Sequence, residues 1–242
     1  MRLNDRVSLV ASGGMALSMT HFSDCNAYLV NCGNESVLID AGTGLAGRDV
    51  IHEIEKELSN RLFCILVTHH HADHIGGVNE IRNYFHARVL VPEREKRSVE
   101  QGDEAVTGLD IARKAGYYPP DYKISPCHVD QGVKPGDRLH ISDEEILVCD
   151  GAGHSEGGVC YYFSAEKMLF SGDLLMHGGY INLQNIPGAD IRNYAESVTA
   201  LDELDIEQFY PGHGCFSLHN GKVHVSKAAE AFRSLGIPPN FV

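Results

Sequence analysis

Apolar residues recur at helical spacing in four stretches of the 242-residue chain. They are Val50, Ile51, Ile54 and Leu58; Ile75, Val78, Ile81 and Phe85; Ile191, Tyr194, Val198 and Leu201; and Val225, Ala229, Phe232 and Leu235. That spacing lines each set along one side of a helix and predicts four amphipathic helices with charges facing outward. Short apolar runs of strand length lie between them. Residues 26–30 and 36–39 flank Gly33-Asn34, which signals a hairpin. Residues 62–67, 145–150, 159–163, 167–171 and the shorter 207–210 read as further strands. Strands alternating with helices, without an obvious linker or low-complexity segment, predict an α/β fold forming one domain over residues 1–242. The run from Val37 to Gly42 resembles that from Met168 to Asp173, hinting at two related αβ halves packed sheet to sheet. Residues 93–126 are charged, are predicted to be helical, and run through Tyr117-Tyr118-Pro119-Pro120 toward Pro126.

Composition narrows the function classes. The chain is 43% hydrophobic and 22% charged, which is ordinary for a soluble globular protein. Its formal net charge of −13, with no Lys/Arg run, disfavours a nucleic-acid partner. No apolar stretch approaches the ~20 residues that span a bilayer, and the first residues lack a signal-peptide layout. The seven cysteines are odd in number and lack CxxC spacing, so they fit reduced thiols and a cytoplasmic location. Cys64, Cys149 and Cys160 sit in strand-like runs and are expected to be small core residues, while Cys215 lies two residues after His213.

The candidate chemistry begins at Thr68-His69-His70-His71-Ala72-Asp73-His74, directly after the apolar run 62–67. Imidazole and carboxylate are ligands for Zn, Fe or Mn, and alternate residues of an extended chain point the same way. His69 and His71 can therefore reach one metal. Asp73 and His74, where the chain turns into a helix, can reach a second. Three further loops carry ligand-type residues: His154 in a glycine-rich turn, Asp173 at a strand end after Ser171-Gly172, and His213 in Pro211-Gly212-His213-Gly214. Each is weak evidence alone, and together with the HxHxDH run they form a set.

These residues, with Asp40, match in order the five sequence signatures of the metallo-β-lactamase superfamily, and the chain resembles that family from about Ala27 to Phe232. The resemblance implies an α/β four-layer αββα sandwich, here with a helical insertion at 93–126 near the active site. It implies that His69, His71 and His154 hold one divalent metal, that Asp73, His74 and His213 hold the other, and that Asp173 bridges both. Zinc is the expected metal, with iron or manganese as alternatives. Asp40 would accept hydrogen bonds that fix the ligand loop, and His70 would point away from the metals. The remaining histidines (His21, His52, His86, His128, His140, His219 and His224) are read as non-ligands.

Two cations sharing a water depress its pKa from roughly 15.7 toward 7, giving a hydroxide that can attack a carbonyl. Asp73 is then the candidate for carrying a proton to the leaving group. The branches of the superfamily can be weighed. Secreted β-lactamases carry a signal peptide, nucleic-acid-processing members carry a large insertion, and flavodiiron reductases have a glutamate where His71 stands. The run through Gly76-Gly77 is similar to glyoxalase II, yet only about 29 residues follow His213. A hydrolase of a small-molecule carboxylic ester, lactone or thioester is the expected function. The alternatives are a mononuclear-iron persulfide dioxygenase or a phosphodiester or β-lactam hydrolase. Tyr180 and His177 follow Asp173 closely and are candidate substrate contacts. The loops 12–24, 92–126 and 177–190 are expected to set specificity, and the insertion is compatible with a lid or a homodimer contact.

Overall fold

A computed structural model describes all 242 residues, which divide into two compact units: Met1–Gly132 with Ile141–Asp143, and Val133–His140 with Glu144–Val242. The N-terminal unit is built on a six-stranded sheet in the order β1 (Val7–Ala11), β2 (Ala27–Asn31), β3 (Glu35–Ile39), β4 (Arg61–Leu66), β5 (Arg88–Pro92) and β6 (Gln131–Val133). The β2–β3 hairpin forms as expected, with Tyr28 opposite Ile39 and Gly33 taking a φ of 96° in the turn. β3, β4 and β5 are parallel, so each connection must cross over, and helices α1 (Gly47–Glu57) and α3 (Val78–Phe85) make the crossings. Their apolar faces, through Val50, Ile54, Val78 and Ile81, share one core with Leu38, Ile65 and Val89.

The second apolar series is not one helix. Ile75 closes a separate four-residue turn of helix, α2 (Ala72–Ile75), and Gly76-Gly77 precede α3. The helical ladder breaks where the Gly77 amide donates to the Gly42 carbonyl (3.0 Å) instead of continuing it, and Gly76 is packed so closely that a Cβ would lie 2.0 Å from the Thr43 carbonyl oxygen and 2.3 Å from the Tyr122 hydroxyl. The 93–126 segment is helical only in part: a 3-10 turn at Glu93–Glu95, α4 (Lys96–Gln101) and α5 (Leu109–Lys114).

The C-terminal unit is built on a five-stranded sheet in the order β11 (Gln208–Pro211), β10 (Met168–Gly172), β9 (Val159–Phe163), β8 (Glu144–Asp150) and β7 (Arg138–Ile141). β10 and β11 are parallel and are joined through α6 (Ile191–Leu201), whose first turn is capped by Asp190 accepting from the Arg192 and Asn193 amides. α6 and α7 (Lys222–Arg233) bury Tyr194, Val198, Val225 and Ala229 against Leu169 and Phe209. Leu235 departs from its predicted place: α7 stops at Arg233, and Leu235, at φ 60°, is 97% exposed. Cys64 and Cys160 are fully buried, whereas Cys149 is only partly so, and none of the seven cysteines forms a disulfide. No helix is long and apolar enough to cross a membrane.

Candidate metal centre

Parallel pairing brings the ligand loops to the strand ends. Ile39 of β3 pairs with Leu66 of β4, so the residues that follow, Asp40 and Thr68-His69, leave the sheet at the same edge. Asp40 sits at φ 58°, a left-handed conformation that Asp tolerates better than most residues. Its buried carboxylate accepts the Thr68 amide at Oδ1 (2.8 Å), and at Oδ2 the Thr68 hydroxyl and His74 Nδ1 (both 2.8 Å).

This network fixes which ring nitrogen carries the proton. A carboxylate only accepts, so His74 is protonated at Nδ1 and turns its Nε2 lone pair away from Asp40. The Thr68 hydroxyl spends its hydrogen on Asp40, so it can only accept from His69 Nδ1, 3.0 Å away. His69 is therefore also an Nδ1–H tautomer with Nε2 left as donor to a metal. One buried carboxylate thus sets two imidazoles, as outer partners of metal-bound histidines do. The ring centroids of His69 lie 4.6 Å from His71 and 4.1 Å from His74, and Asp73 Oδ2 lies 3.7 Å from His74 Nε2.

Cys25 Sγ also lies within 4.8 Å of ligand-type atoms of Asp40 and His74. This trio is a poor cation site. Burial pushes the thiol up to about 12, and Asp40 and His74 Nδ1 are already committed to each other.

His70 faces the 93–126 segment. Its amide donates to Glu95 Oε2 (2.7 Å). Ser98 Oγ donates to the Glu95 carbonyl (2.7 Å) and so accepts from His70 Nδ1 (2.8 Å). Further along the same segment, the Tyr122 hydroxyl donates to the Thr43 carbonyl (2.7 Å), and the Tyr118 ring stacks on Tyr122 at 5.0 Å. Burial first, then the Asp73 charge, holds the Tyr118 phenol far above its ordinary pKa.

The C-terminal unit repeats the device. Gly172 of β10 pairs with Pro211 of β11, so Asp173 and His213 emerge together at that sheet's edge. The β8–β9 loop adds His154, and Gly153 is required there because a Cβ would lie 2.7 Å from the Tyr194 ring. His154 Nδ1 donates to the Asn182 carbonyl (2.6 Å), leaving Nε2 as the lone pair, 3.6 Å from Asp173 Oδ2. His213 Nε2 lies 3.4 Å from the same oxygen, to which Asn182 Nδ2 donates at 2.9 Å. Asn182 thus touches two ligand-type residues, and nothing in its local sequence marks it. Thr68 and Ser98 were equally unmarked, although Thr68 adjoins the histidine run. Tyr180 and His177 lie in an exposed loop after Asp173, with the His177 ring 4.2 Å from that of His224.

The donor chemistry suits divalent cations: buried imidazoles whose Nε2 atoms lie beside carboxylates, on an α/β scaffold of two sheets. The chain belongs to the metallo-β-lactamase superfamily, whose model matches residues 22–213. It is 30% identical over 209 residues to the acyl-coenzyme A thioesterase MBLAC2 of Homo sapiens, covering 78% of this chain and 72% of that protein. It is 26% identical over 190 residues to an atrochrysone carboxyl ACP thioesterase of Aspergillus fumigatus, of which it spans 50%. Among solved structures it is similar to the BLEG-1 B3 metallo-beta-lactamase, with a TM-score of 0.72 and 26% identity over 87% of this chain and 93% of that one. It is also similar to TTHA1623 in a di-iron-bound form, with a TM-score of 0.65 and 28% identity over 81% and 90%. The metallo-β-lactamase fold and a hydrolase superfamily that uses divalent metals follow.

Proposed function

We propose that the protein is a metal-dependent hydrolase of a small acyl substrate, with a thioester favoured over a carboxylic ester or lactone. The observation that carries the metal chemistry is the tautomer lock: His69, His74 and His154 each hold their proton on Nδ1 and offer Nε2. The preference for a thioester comes from relatives named as acyl-coenzyme A and acyl-carrier-protein thioesterases.

On this reading, the family pattern assigns His69, His71 and His154 to one cation, Asp73, His74 and His213 to the other, and Asp173 to both. Two zinc ions bound there would supply a water activated at neutral pH and polarise the substrate carbonyl. Iron is the alternative metal, since one similar structure is a di-iron form. Asp40 keeps the imidazoles of His69 and His74 oriented. Asp73, whose side chain is 16% exposed beside His74, transfers a proton to the departing thiolate or alkoxide. Tyr180 and His177, on the exposed loop after Asp173, contact the substrate. Residues 93–126 brace the ligand loop through Glu95, Ser98 and Tyr122.

The experiment is a panel of acyl-coenzyme A thioesters, acyl lactones, a phosphodiester and a cephalosporin, run on metal-loaded protein with the metal content measured. Thiol release from the thioesters at the highest kcat/KM is expected. Hydrolysis confined to the phosphodiester or cephalosporin, or oxygen consumption with a persulfide by a protein holding one iron, would overturn the reading.

A further inference from the structure

Asn182 holds two ligand-type residues of the C-terminal unit, and it is itself held by the segment 238–241, which follows α7 in the chain. Pro238-Pro239 keep this segment extended and remove two amide donors, so Pro239 contributes only its carbonyl, which accepts from the Ile181 amide at 3.0 Å. The Phe241 amide donates back to the Ile181 carbonyl at 2.8 Å. Asn240, between them, pairs with the other neighbour of Asn182: its Oδ1 accepts from the Leu183 amide and its Nδ2 donates to the Leu183 carbonyl, both at 2.9 Å. Both residues flanking Asn182 are thereby fixed at amide and carbonyl alike. The same segment reaches the third ligand-type residue. The Phe241 ring lies over Gly214, next to His213, where a Cβ would stand 3.4 Å from it.

We infer that residues 238–241 are an outer brace for the metal ligands, with Asn240 as a positioning residue that acts through Asn182 on His154 and Asp173. This rests on the reading that those two residues bind metal. The chain of contacts is short. Asn240 sets the Leu183 backbone, the 181–183 backbone sets the Asn182 carbonyl and amide, and these set His154 Nδ1 and Asp173 Oδ2. Gln184 Nε2 donates to Asn182 Oδ1 at 3.0 Å, so a flipped Asn182 amide would turn an N–H toward the Gln184 N–H and an oxygen toward Asp173 Oδ2. Asn240 is itself exposed and packs into no core, so its removal perturbs the ligands without opening a cavity.

The test compares full-length wild type, Asn240→Ala and Asn240→Asp, each loaded with Co(II). Three quantities are read: the rate of cobalt loss to a chelator, the visible cobalt spectrum and the Tm of the metal-free protein. Asn240→Ala is expected to lose cobalt several-fold faster, with altered band intensities, an effect smaller than the roughly 10–100-fold that follows loss of a direct partner of a metal ligand. Its metal-free Tm is expected to stay within about 2 °C of wild type, as for a surface substitution. Asn240→Asp, which keeps the acceptor for the Leu183 amide and loses the donor, is expected to fall between the two. If wild type binds cobalt and Asn240→Ala matches it in loss rate and spectrum, the brace is overturned, whatever happens to Tm. If wild type takes up no cobalt, it is the metal reading beneath the inference that fails.

Discussion

Asp40 Oδ2 receives the Nδ1 proton of His74 at 2.8 Å while its other oxygen receives the Thr68 amide, so one buried carboxylate decides the tautomer of an imidazole 34 residues away. Asparagine keeps the shape and tolerates the left-handed backbone. It also turns an N–H toward the ring, which favours the tautomer with the proton on Nε2. Asp40→Asn is therefore expected to weaken metal binding by about 10–100-fold, read by chelator competition. Wild-type affinity in this variant would mean that the tautomer lock has no bearing on the cations.

Asp73→Asn keeps a carbonyl oxygen and loses the proton-carrying group. The expected result is a kcat lower by about 10²–10⁴-fold, read at saturating metal with the metal content measured because Asp73 is also assigned to a cation. Full activity with both metals retained would remove Asp73 from proton transfer.

Gly76 has no room for a methyl group between the Thr43 carbonyl and the Tyr122 hydroxyl. Gly76→Ala is expected to cost about 1–3 kcal/mol, as overpacking does, and to lower Tm in thermal melts. It would also disturb the turn that carries Asp73 and His74. An unchanged Tm would show that the loop relaxes freely.

His224 accepts the Gly178 amide at Nδ1 (3.0 Å), so its proton sits on Nε2 and is donated to Ser217 Oγ (2.7 Å). Burial, then the neighbouring His177, pushes its pKa from 6.5 to about 4. The unfolded chain therefore binds the extra proton below pH 6.5, while the fold refuses it until about pH 4. The stabilisation from this group is full above pH 6.5 and is lost as pH falls through that window. Tm measured between pH 7 and 4 is expected to fall less steeply in His224→Gln than in wild type. Equal slopes would assign the acid sensitivity to other groups.

The four helices and the central strands were legible because each buries one face, and burial leaves a period in the sequence. β1, β5 and the short β6 and β7, three and four residues long, were not assigned. β1 is five residues long and buried throughout, and β5 nearly so, so neither alternates in polarity. The split after Ile75 was hidden because it arises where the Gly77 amide turns to the Gly42 carbonyl, a tertiary contact. Within the site, the ligand-type residues stand out because His and Asp cluster at strand ends. The residues that orient them do not. Thr68, Ser98 and Asn182 are ordinary polar residues whose role arises from register and from contacts up to 28 residues apart.

The left-handed turn at Asp40 and the locked rings have a consequence for assembly. With His69 and His74 in one unit, and His154 in the other, already hydrogen-bonded at Nδ1, the rings proposed to bind metal are oriented before any ion arrives. On the proposed metal reading, ion capture then requires no change of tautomer within either unit. Far-UV circular dichroism of the stripped and reloaded protein should superimpose.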